Sequence, residues 1–132
     1  MSYSPFINLY LRDQKSEQEI ISKLELITGL KIDSLNFPNK NNVLHISYIE
    51  FTQGFKTEIS IYWPTNLNNI INGYYIAQEL SCALNVLILF DASLFDCNAV
   101  SFDGDDIWFL ANNRNLKQVN VKILDDGIDI LS

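Results

Sequence analysis

The sequence has few histidines and cysteines, the residues that most often bind zinc. It contains one histidine, His45, and two cysteines, Cys82 and Cys97, which do not form a CxxC pair. A structural zinc site needs a full tetrahedral set of such ligands, so this composition argues against one. The two cysteines are interpreted as buried or free thiols, with a disulfide between them as the alternative. We expect no metal site and no cofactor.

Sequence motifs of catalysis are also missing. The chain has no glycine-rich phosphate loop, no GxSxG elbow and no HExxH pair. Without a second histidine, His45 is interpreted as an ordinary strand residue. A carboxylate such as Asp91 remains a candidate for general acid or base chemistry, but the sequence does not identify a partner for it. We therefore expect a protein that is not an enzyme.

Basic residues are scarce, since nine Lys and Arg stand against sixteen Asp and Glu, for a net charge of −7. Binding to nucleic acid phosphates requires Lys and Arg, so we expect no nucleic acid partner. The imbalance is uneven: residues 1–78 hold seven acids and six bases, whereas residues 79–132 hold nine acids and three bases. An acidic surface that only maintains solubility is one explanation. The clustering favours a basic partner.

Long apolar runs are absent as well. No run approaches the roughly 20 residues that a helix needs to span a bilayer, and the N-terminus has no basic segment followed by an apolar stretch. We expect a soluble, cytoplasmic protein without membrane association. The length of 132 residues and the hydrophobic content of 48% fit one domain, residues 1–132, that buries a core of its own.

The stretch from Tyr74 to Ala92 is predicted to be the centre of the fold. Its second part, Val86 to Phe90, is a continuous apolar run, which is typical of a strand covered on both faces. Leu87 and Ile88 are therefore both expected to be buried. Its first part predicts a helix capped by Asn69 or Asn72. The helix has one apolar stripe, formed by Ala77, Leu80, Ala83 and Leu84.

The chain before this centre predicts a strand, a helix and a hairpin. Phe6 to Leu11 alternates loosely, as a strand does. Ser16 and Glu19 form a capping box, and Gly29 stands where a helix C-terminal cap belongs. The stripe between these caps consists of Ile20, Ile21, Leu24 and Ile27. A short extended piece at 31–35, an Asn-rich loop at 36–42, and a hairpin with strands at 43–51 and 56–63 around a turn at 52–55 follow.

After Asp91 the sequence predicts a β-meander. Residues 99–102 and 107–111 flank an Asp-Gly turn, a strong signal for a short hairpin. Strands at 116–124 and 128–131 follow turns at 112–115 and 125–127. The predicted fold class is α+β: a mostly antiparallel sheet with two helices packed on one face, ending in a β-meander. The first six elements follow a split β-α-β plan.

Acidic residues and an aromatic meet at the predicted Asp-Gly hairpin. Asp103, Asp105 and Asp106 lie just before Trp108, and this composition is typical of an interface anchor with a charged surround. A cation site is an alternative for the three acids, although their spacing does not match an EF-hand loop. A second alternative is that Trp108 or Phe109 belongs to the core and the acids only form a turn.

Several segments resemble immunity proteins of bacterial polymorphic toxin systems, including contact-dependent growth inhibition. The similar segments are Ala77-Gln78-Glu79-Leu80, Leu84-Asn85-Val86-Leu87-Ile88, Asp91, Phe102-Asp103-Gly104 and Trp108. The resemblance implies a small acidic protein that binds a cognate toxin, often a basic nuclease, and masks its active site. The toxin-binding residues would then be Asp103, Asp105, Asp106 and Trp108, with Asp91 and Asp96 as further candidates. Asp125 and Asp126 form another acidic pair.

Two other functions are compatible with the sequence. The first is a small interaction or adaptor domain with an unrelated protein partner. The second is an enzyme that binds a small molecule or a metal ion. The position of the gene would distinguish them, because an immunity gene should lie directly after a large toxin gene.

Overall fold

A computed structural model describes residues 6–34, 44–63, 72–91 and 108–131. These residues form two helices and nine strands. The elements are β1 (Phe6–Leu11), α1 (Glu17–Thr28), β2 (Ile32–Ser34), β3 (Leu44–Glu50), β4 (Gln53–Gly54), β5 (Thr57–Tyr62), α2 (Gly73–Leu84), β6 (Ile88–Asp91), β7 (Trp108–Asn112), β8 (Asn115–Leu124) and β9 (Gly127–Leu131). The α+β class predicted from the sequence is confirmed.

Helix α1 begins and ends where its cap residues predict. The hydroxyl of Ser16 accepts a hydrogen bond of 3.1 Å from the backbone N–H of Glu19. Gly29 adopts a left-handed conformation with a φ of 72°, and its N–H donates to the carbonyl of Glu25. Ile20 and Leu24 are fully buried, so the predicted apolar stripe does face the core.

Helix α2 begins at Gly73, and Asn72 is the cap: its side chain accepts a hydrogen bond of 3.1 Å from the N–H of Tyr75. The predicted stripe is confirmed for Ala77, Leu80 and Leu84, but Ala83 is exposed. Ile76 and Ser81 are buried instead, so they belong to the face of the helix that packs on the core.

The hydroxyl of Ser81 shows how α2 is joined to the sheet. It donates a hydrogen bond of 2.6 Å to the carbonyl of Val86 and accepts one of 2.9 Å from the N–H of Asn113. Ser81 is 1% exposed, and a buried hydroxyl needs such partners. This one side chain therefore connects the helix to the start of β6 and to the β7–β8 turn.

The strands form one sheet in the order β2-β3-β5-β1-β6-β7-β8-β9-β4. The central strands β3, β5, β1 and β6 pair with one another antiparallel in this order, which gives the predicted split β-α-β arrangement, and β2 pairs with β3 in parallel. Both helices pack on the same face, and their side chains share one core with alternate residues of these strands. Strands β7, β8 and β9 form the described part of the predicted meander, and β7 also pairs with β6, whereas the predicted strand at 99–102 lies outside the described ranges.

The sheet is curled because β8 changes partner along its length. Residues 115–119 pair with β7, whereas residues 120–124 pair with β9. The short strand β4 lies inside the predicted hairpin turn at 52–55 and pairs in parallel with Gly127 and Ile128 of β9. The tip of the β3–β5 hairpin thereby contacts the last strand, a pairing that the sequence did not indicate.

The curl encloses a second, smaller core on the face opposite the helices. Phe55, Leu89 and Ile128 are buried there, with Leu87 and Trp108 among the partly buried residues packed on them. The predicted two-sided burial of the central strand is confirmed, because Ile88 and Phe90 lie in the helix-side core and Leu89 in the second. Leu87 is half-buried, not fully buried as predicted.

Three predictions concern residues outside the described ranges: the Asn-rich loop at 36–42, the Asp-Gly hairpin at 103–106, and the state of Cys97. Cys82 lies on α2 and is a free, half-buried thiol. No helix in the described part of the chain is long and apolar enough to cross a membrane.

Candidate functional site

Two of the predicted site residues lie in the described part of the chain, and they are cross-strand partners. Asp91, at the end of β6, is directly opposite Trp108, at the start of β7. Directly opposed residues of an antiparallel pair point to the same face of the sheet. Asp91 is 7% exposed and Trp108 is half-buried. The other predicted residues, Asp96, Asp103, Asp105 and Asp106, lie outside the described ranges.

Tyr10 joins this pair from β1. Its neighbours Leu9 and Leu11 belong to the helix-side core, so Tyr10 points to the opposite face. Its ring centroid is 5.9 Å from that of Trp108, and the two planes are tilted by 49°. Tyr10 also stacks on Phe51 at 6.4 Å. Aromatic pairs at these separations are attractive beyond the area that they bury.

Glu58 lies beside Tyr10 on β5, directly opposite it in the β1–β5 ladder. Burial raises the pKa of the Tyr10 phenol, and a hydrogen bond to Glu58, the charge of Glu58 and the charge of Asp91 raise it further. The phenol is therefore protonated at neutral pH and donates to the Glu58 carboxylate. Since both carboxylates act on one phenol, the four side chains form one group. We call Tyr10, Glu58, Asp91 and Trp108 the acid–aromatic cluster.

The next position along the strands is polar as well. Asn8 is opposite Ser60, and the hydroxyl of Ser60 donates a hydrogen bond to the side-chain carbonyl of Asn8. Ser60 is 8% exposed. The face of the sheet away from the helices thus carries polar side chains on β1, β5 and β6, whereas the face toward the helices is apolar.

The chemistry of the acid–aromatic cluster suits recognition of a cationic group. Two carboxylates accept hydrogen bonds, and the indole ring presents a face that attracts cations. His45 lies elsewhere, on β3 opposite Tyr62 of β5, and its Nδ1 atom is buried without a hydrogen-bond partner among the described residues.

The other acidic pair, Asp125 and Asp126, lies in the β8–β9 turn. Asp125 is exposed, and Asp126 is hydrogen-bonded to Thr52 at the tip of the β3–β5 hairpin. Asp129 on β9 forms an ion pair of 2.8 Å with Arg12, whose guanidinium lies 5.3 Å from the centre of the Phe55 ring. Asp126 and Asp129 therefore hold the curled sheet together.

Sequence analysis did not identify Tyr10 or Glu58 as site residues. The alternation in 56–63 does assign Glu58 to the face away from the core, and alternation in 6–11 does the same for Tyr10. The sequence pattern does not indicate the order of the strands in the sheet. Only the pairing of β1 with both β5 and β6 brings Glu58, Tyr10 and Asp91 together.

No group of three or more His, Cys, Asp or Glu residues within the described ranges is placed to hold a metal ion. Comparison with protein-family models, with curated proteins and with solved structures returns no match.

Proposed function

We propose that this chain is a non-enzymatic immunity protein that binds and neutralises a cognate toxin, with a basic nuclease as the best-fitting class. The observation that carries the proposal is the acid–aromatic cluster, in which Asp91 and Glu58 flank Tyr10 and Trp108. Two carboxylates beside two aromatic rings form a receptor for an arginine or lysine side chain. Such side chains line the substrate cleft of a nuclease because the substrate is anionic.

The charge distribution of the chain supports the same class of partner. Residues 79–132 carry nine acids and three bases. A surface with this imbalance accelerates association with a basic protein by electrostatic steering. In this mechanism the acids raise the rate of encounter, the aromatic cluster slows dissociation, and the bound protein blocks access of substrate to the cleft.

The proposal expects a toxin gene directly before the gene of this chain, and the test uses the purified product of that gene. Binding kinetics and toxin activity are measured with the wild-type chain and with Trp108→Ala. Loss of the indole should raise the dissociation rate and reduce inhibition. Trp108→Phe, which keeps an aromatic ring in the second core, should retain most of the affinity. Tyr75→Ala is the matched control, because Tyr75 is a 51% exposed aromatic on α2, away from the cluster.

A second variant tests steering. Replacing Asp103, Asp105 and Asp106 with Asn removes three charges with little change in turn propensity. The association rate should fall at low salt, and the difference from wild type should shrink near physiological ionic strength, where the Debye length is about 8 Å. If neither this variant nor Trp108→Ala alters binding or inhibition, the proposed interface is wrong. If the wild-type chain does not bind the toxin, the proposed function is wrong.

A further inference from the structure

Strand β8 is twice as long as β9, and this difference leaves part of its edge without a partner strand among the described residues. The first five residues of β8 pair with β7 through Asn112↔Asn115 to Trp108↔Val119. The last five pair with β9 through Asn120↔Leu131 to Leu124↔Gly127. Since β7 and β9 lie on opposite sides of β8, residues 115–119 have one edge along which no strand of the described ranges pairs. We call this the outer edge of β8.

The outer edge of β8 is accessible. Asn115, Leu116, Lys117 and Gln118 are all exposed. An open cavity of about 560 Å³ lies where this edge meets the end of β9. It is lined by Lys117, Gln118, Val119, Asn120, Ile130 and Leu131. The cavity therefore continues the line of β9 along the unpaired half of β8.

The geometry points to an occupant that is an extended polypeptide. Alternate residues of an edge strand direct their backbone N–H and C=O groups away from the sheet, and another strand satisfies them in series. We propose that the outer edge of β8 binds an extended segment of a partner protein, which continues the antiparallel ladder in line with β9. Addition of a strand to an exposed sheet edge is a recurring mode of peptide recognition.

The positive charge on the outer edge of β8 indicates the charge of the segment that binds there. Residues 79–132 contain three bases, Arg114, Lys117 and Lys122, and all of them lie in β8 or in the turn before it. Arg114 is paired with Glu79 at 2.8 Å, whereas Lys117 is exposed at the middle of the outer edge. The bound segment therefore carries an acidic side chain opposite Lys117, because opposite charges across a ladder attract.

A second copy of the chain fits this edge poorly. Two copies paired about a two-fold axis at the middle of the edge would bring Lys117 opposite the same residue of its partner. Like charges directly opposite each other destabilise a strand pair. Each copy also carries a net charge of −7, so the two molecules repel. A segment of a different protein therefore fits this edge better than a second copy does.

The side-chain pattern of the segment follows from alternation. Lys117 and Val119 share one face of β8, and Leu116 and Gln118 share the other. Val119 is partly buried in the second core and Leu116 is 36% exposed. A matching segment has an apolar residue two positions from its acid, beside Val119, and another apolar residue on its other face, beside Leu116. This surface does not depend on the proposed role in toxin binding.

The probes are short synthetic peptides of alternating valine and threonine with a single central residue, glutamate in one peptide and lysine in the other. Amide hydrogen exchange and NMR titration of the full chain locate and measure binding. The glutamate peptide should slow exchange at residues 115–119 and bind about five- to tenfold more tightly than the lysine peptide. Lys117→Glu should invert this preference. Lys122→Glu, in the half of β8 already paired with β9, is the matched control and should not.

Three outcomes overturn the proposal. The first is that neither peptide protects residues 115–119. The role of Lys117 is then to prevent aggregation through this exposed edge. The second is that both peptides bind equally to wild type and to Lys117→Glu. The third is protection of the same residues that rises with protein concentration alone, which would identify a second copy as the occupant. Circular dichroism confirms that the Lys117→Glu variant is folded before any of these results is used.

Discussion

The carboxylate of Asp126 accepts two hydrogen bonds from Thr52, one from the backbone N–H at 2.9 Å and one from the hydroxyl at 2.6 Å. Thr52 lies at the tip of the β3–β5 hairpin and Asp126 in the β8–β9 turn. Gln53 adds two more bonds: its side chain accepts from the N–H of Asp126 at 3.1 Å, and its own N–H donates to the carbonyl of Asp126 at 3.2 Å. This turn clasp joins two hairpins that are distant in sequence and closes the second core.

Two glycines at the clasp are expected to be intolerant of a side chain. A Cβ at Gly54 would lie 2.1 Å from the carbonyl oxygen of Ile128, and a Cβ at Gly127 would lie 2.2 Å from that of Gln53. Both glycines have positive φ. Gly54→Ala and Gly127→Ala should each lower the free energy of unfolding by about 2–4 kcal/mol, from backbone strain and steric overlap together.

Gly29→Ala is the matched control for these two variants in urea unfolding. Gly29 also has a positive φ, of 72°, but a Cβ there would meet nothing within 4 Å. Gly29→Ala should lower the free energy of unfolding only through backbone strain, by about 1–2 kcal/mol. If Gly54→Ala costs no more than Gly29→Ala, β4 and β9 do not pack as described.

Asp126 should make the fold sensitive to acid. The hydrogen bonds from Thr52 hold the pKa of the Asp126 carboxyl below its ordinary value. A carboxyl with a depressed pKa stabilises the fold above its unfolded pKa of about 3.9, and this contribution is lost as the pH falls through the lower folded value. Asp126→Asn should thus be less stable than wild type at neutral pH, and the difference should shrink below about pH 4.

Urea midpoints at several pH values measure this difference, with Asp125→Asn in the same turn as the control. A difference between Asp126→Asn and wild type that stays constant with pH would contradict the expected contribution of the ionised carboxylate.

Tyr10 should ionise late at alkaline pH. Burial, the hydrogen bond to Glu58 and the charges of Glu58 and Asp91 raise its pKa. Burial and the charges of Glu50 and Glu17 also raise the pKa of Tyr48. A raised phenol pKa adds stability below the ordinary value of about 10 that is lost as the pH rises through the folded value. Tyrosine ionisation is followed by the absorbance of the phenolate as the pH rises. Tyr10→Phe should remove part of the absorbance change at the highest pH, the late step, and leave the part due to Tyr48.

Tyr75→Phe, which removes one exposed phenol outside the acid–aromatic cluster, serves as the control for the loss of a single tyrosine. An unaltered late step in Tyr10→Phe would show that Tyr10 is not enclosed by the two carboxylates.

Ile88 and Leu87 should differ in their contribution to stability. Ile88 is fully buried in the helix-side core, and Ile88→Ala should cost about 2–5 kcal/mol. Leu87 is half-buried, so Leu87→Ala should cost less. Leu26→Ala, at a 77% exposed position of α1, should change stability by no more than about 0.5 kcal/mol in the same denaturant series. Equal losses of stability in Ile88→Ala and Leu87→Ala would contradict the different burial of these two side chains.

Much of the fold was predictable because its signals are local. The caps of α1 at Ser16 and Gly29 act within one helical turn, and the apolar run at 86–90 identifies a strand covered on both faces wherever it pairs. The wrong prediction for Ala83 has a local cause too. Alanine is small and is found on both the buried and the exposed face of a helix, so periodicity alone does not decide its burial.

The candidate site was only partly predictable. Asp91 and Trp108 were identified from charge and aromatic content, but as members of separate segments, and Tyr10 and Glu58 were not identified. Strand alternation assigns each side chain to one of two faces without stating which strands are neighbours. The cluster exists because β1 pairs with β5 on one side and β6 on the other.

The sequence by itself determined both helices, most of the strands, the α+β class and the acidic character of the second part of the chain, because capping, periodicity and net charge are properties of neighbouring residues or of sums over them. The tertiary structure alone decided the clasp between Thr52 and Asp126, the acid–aromatic cluster and the outer edge of β8, along which no described strand pairs. Each of these depends on strand order, register and the point at which β8 changes partner. Those are settled by packing between residues far apart in the chain, and no local pattern encodes them.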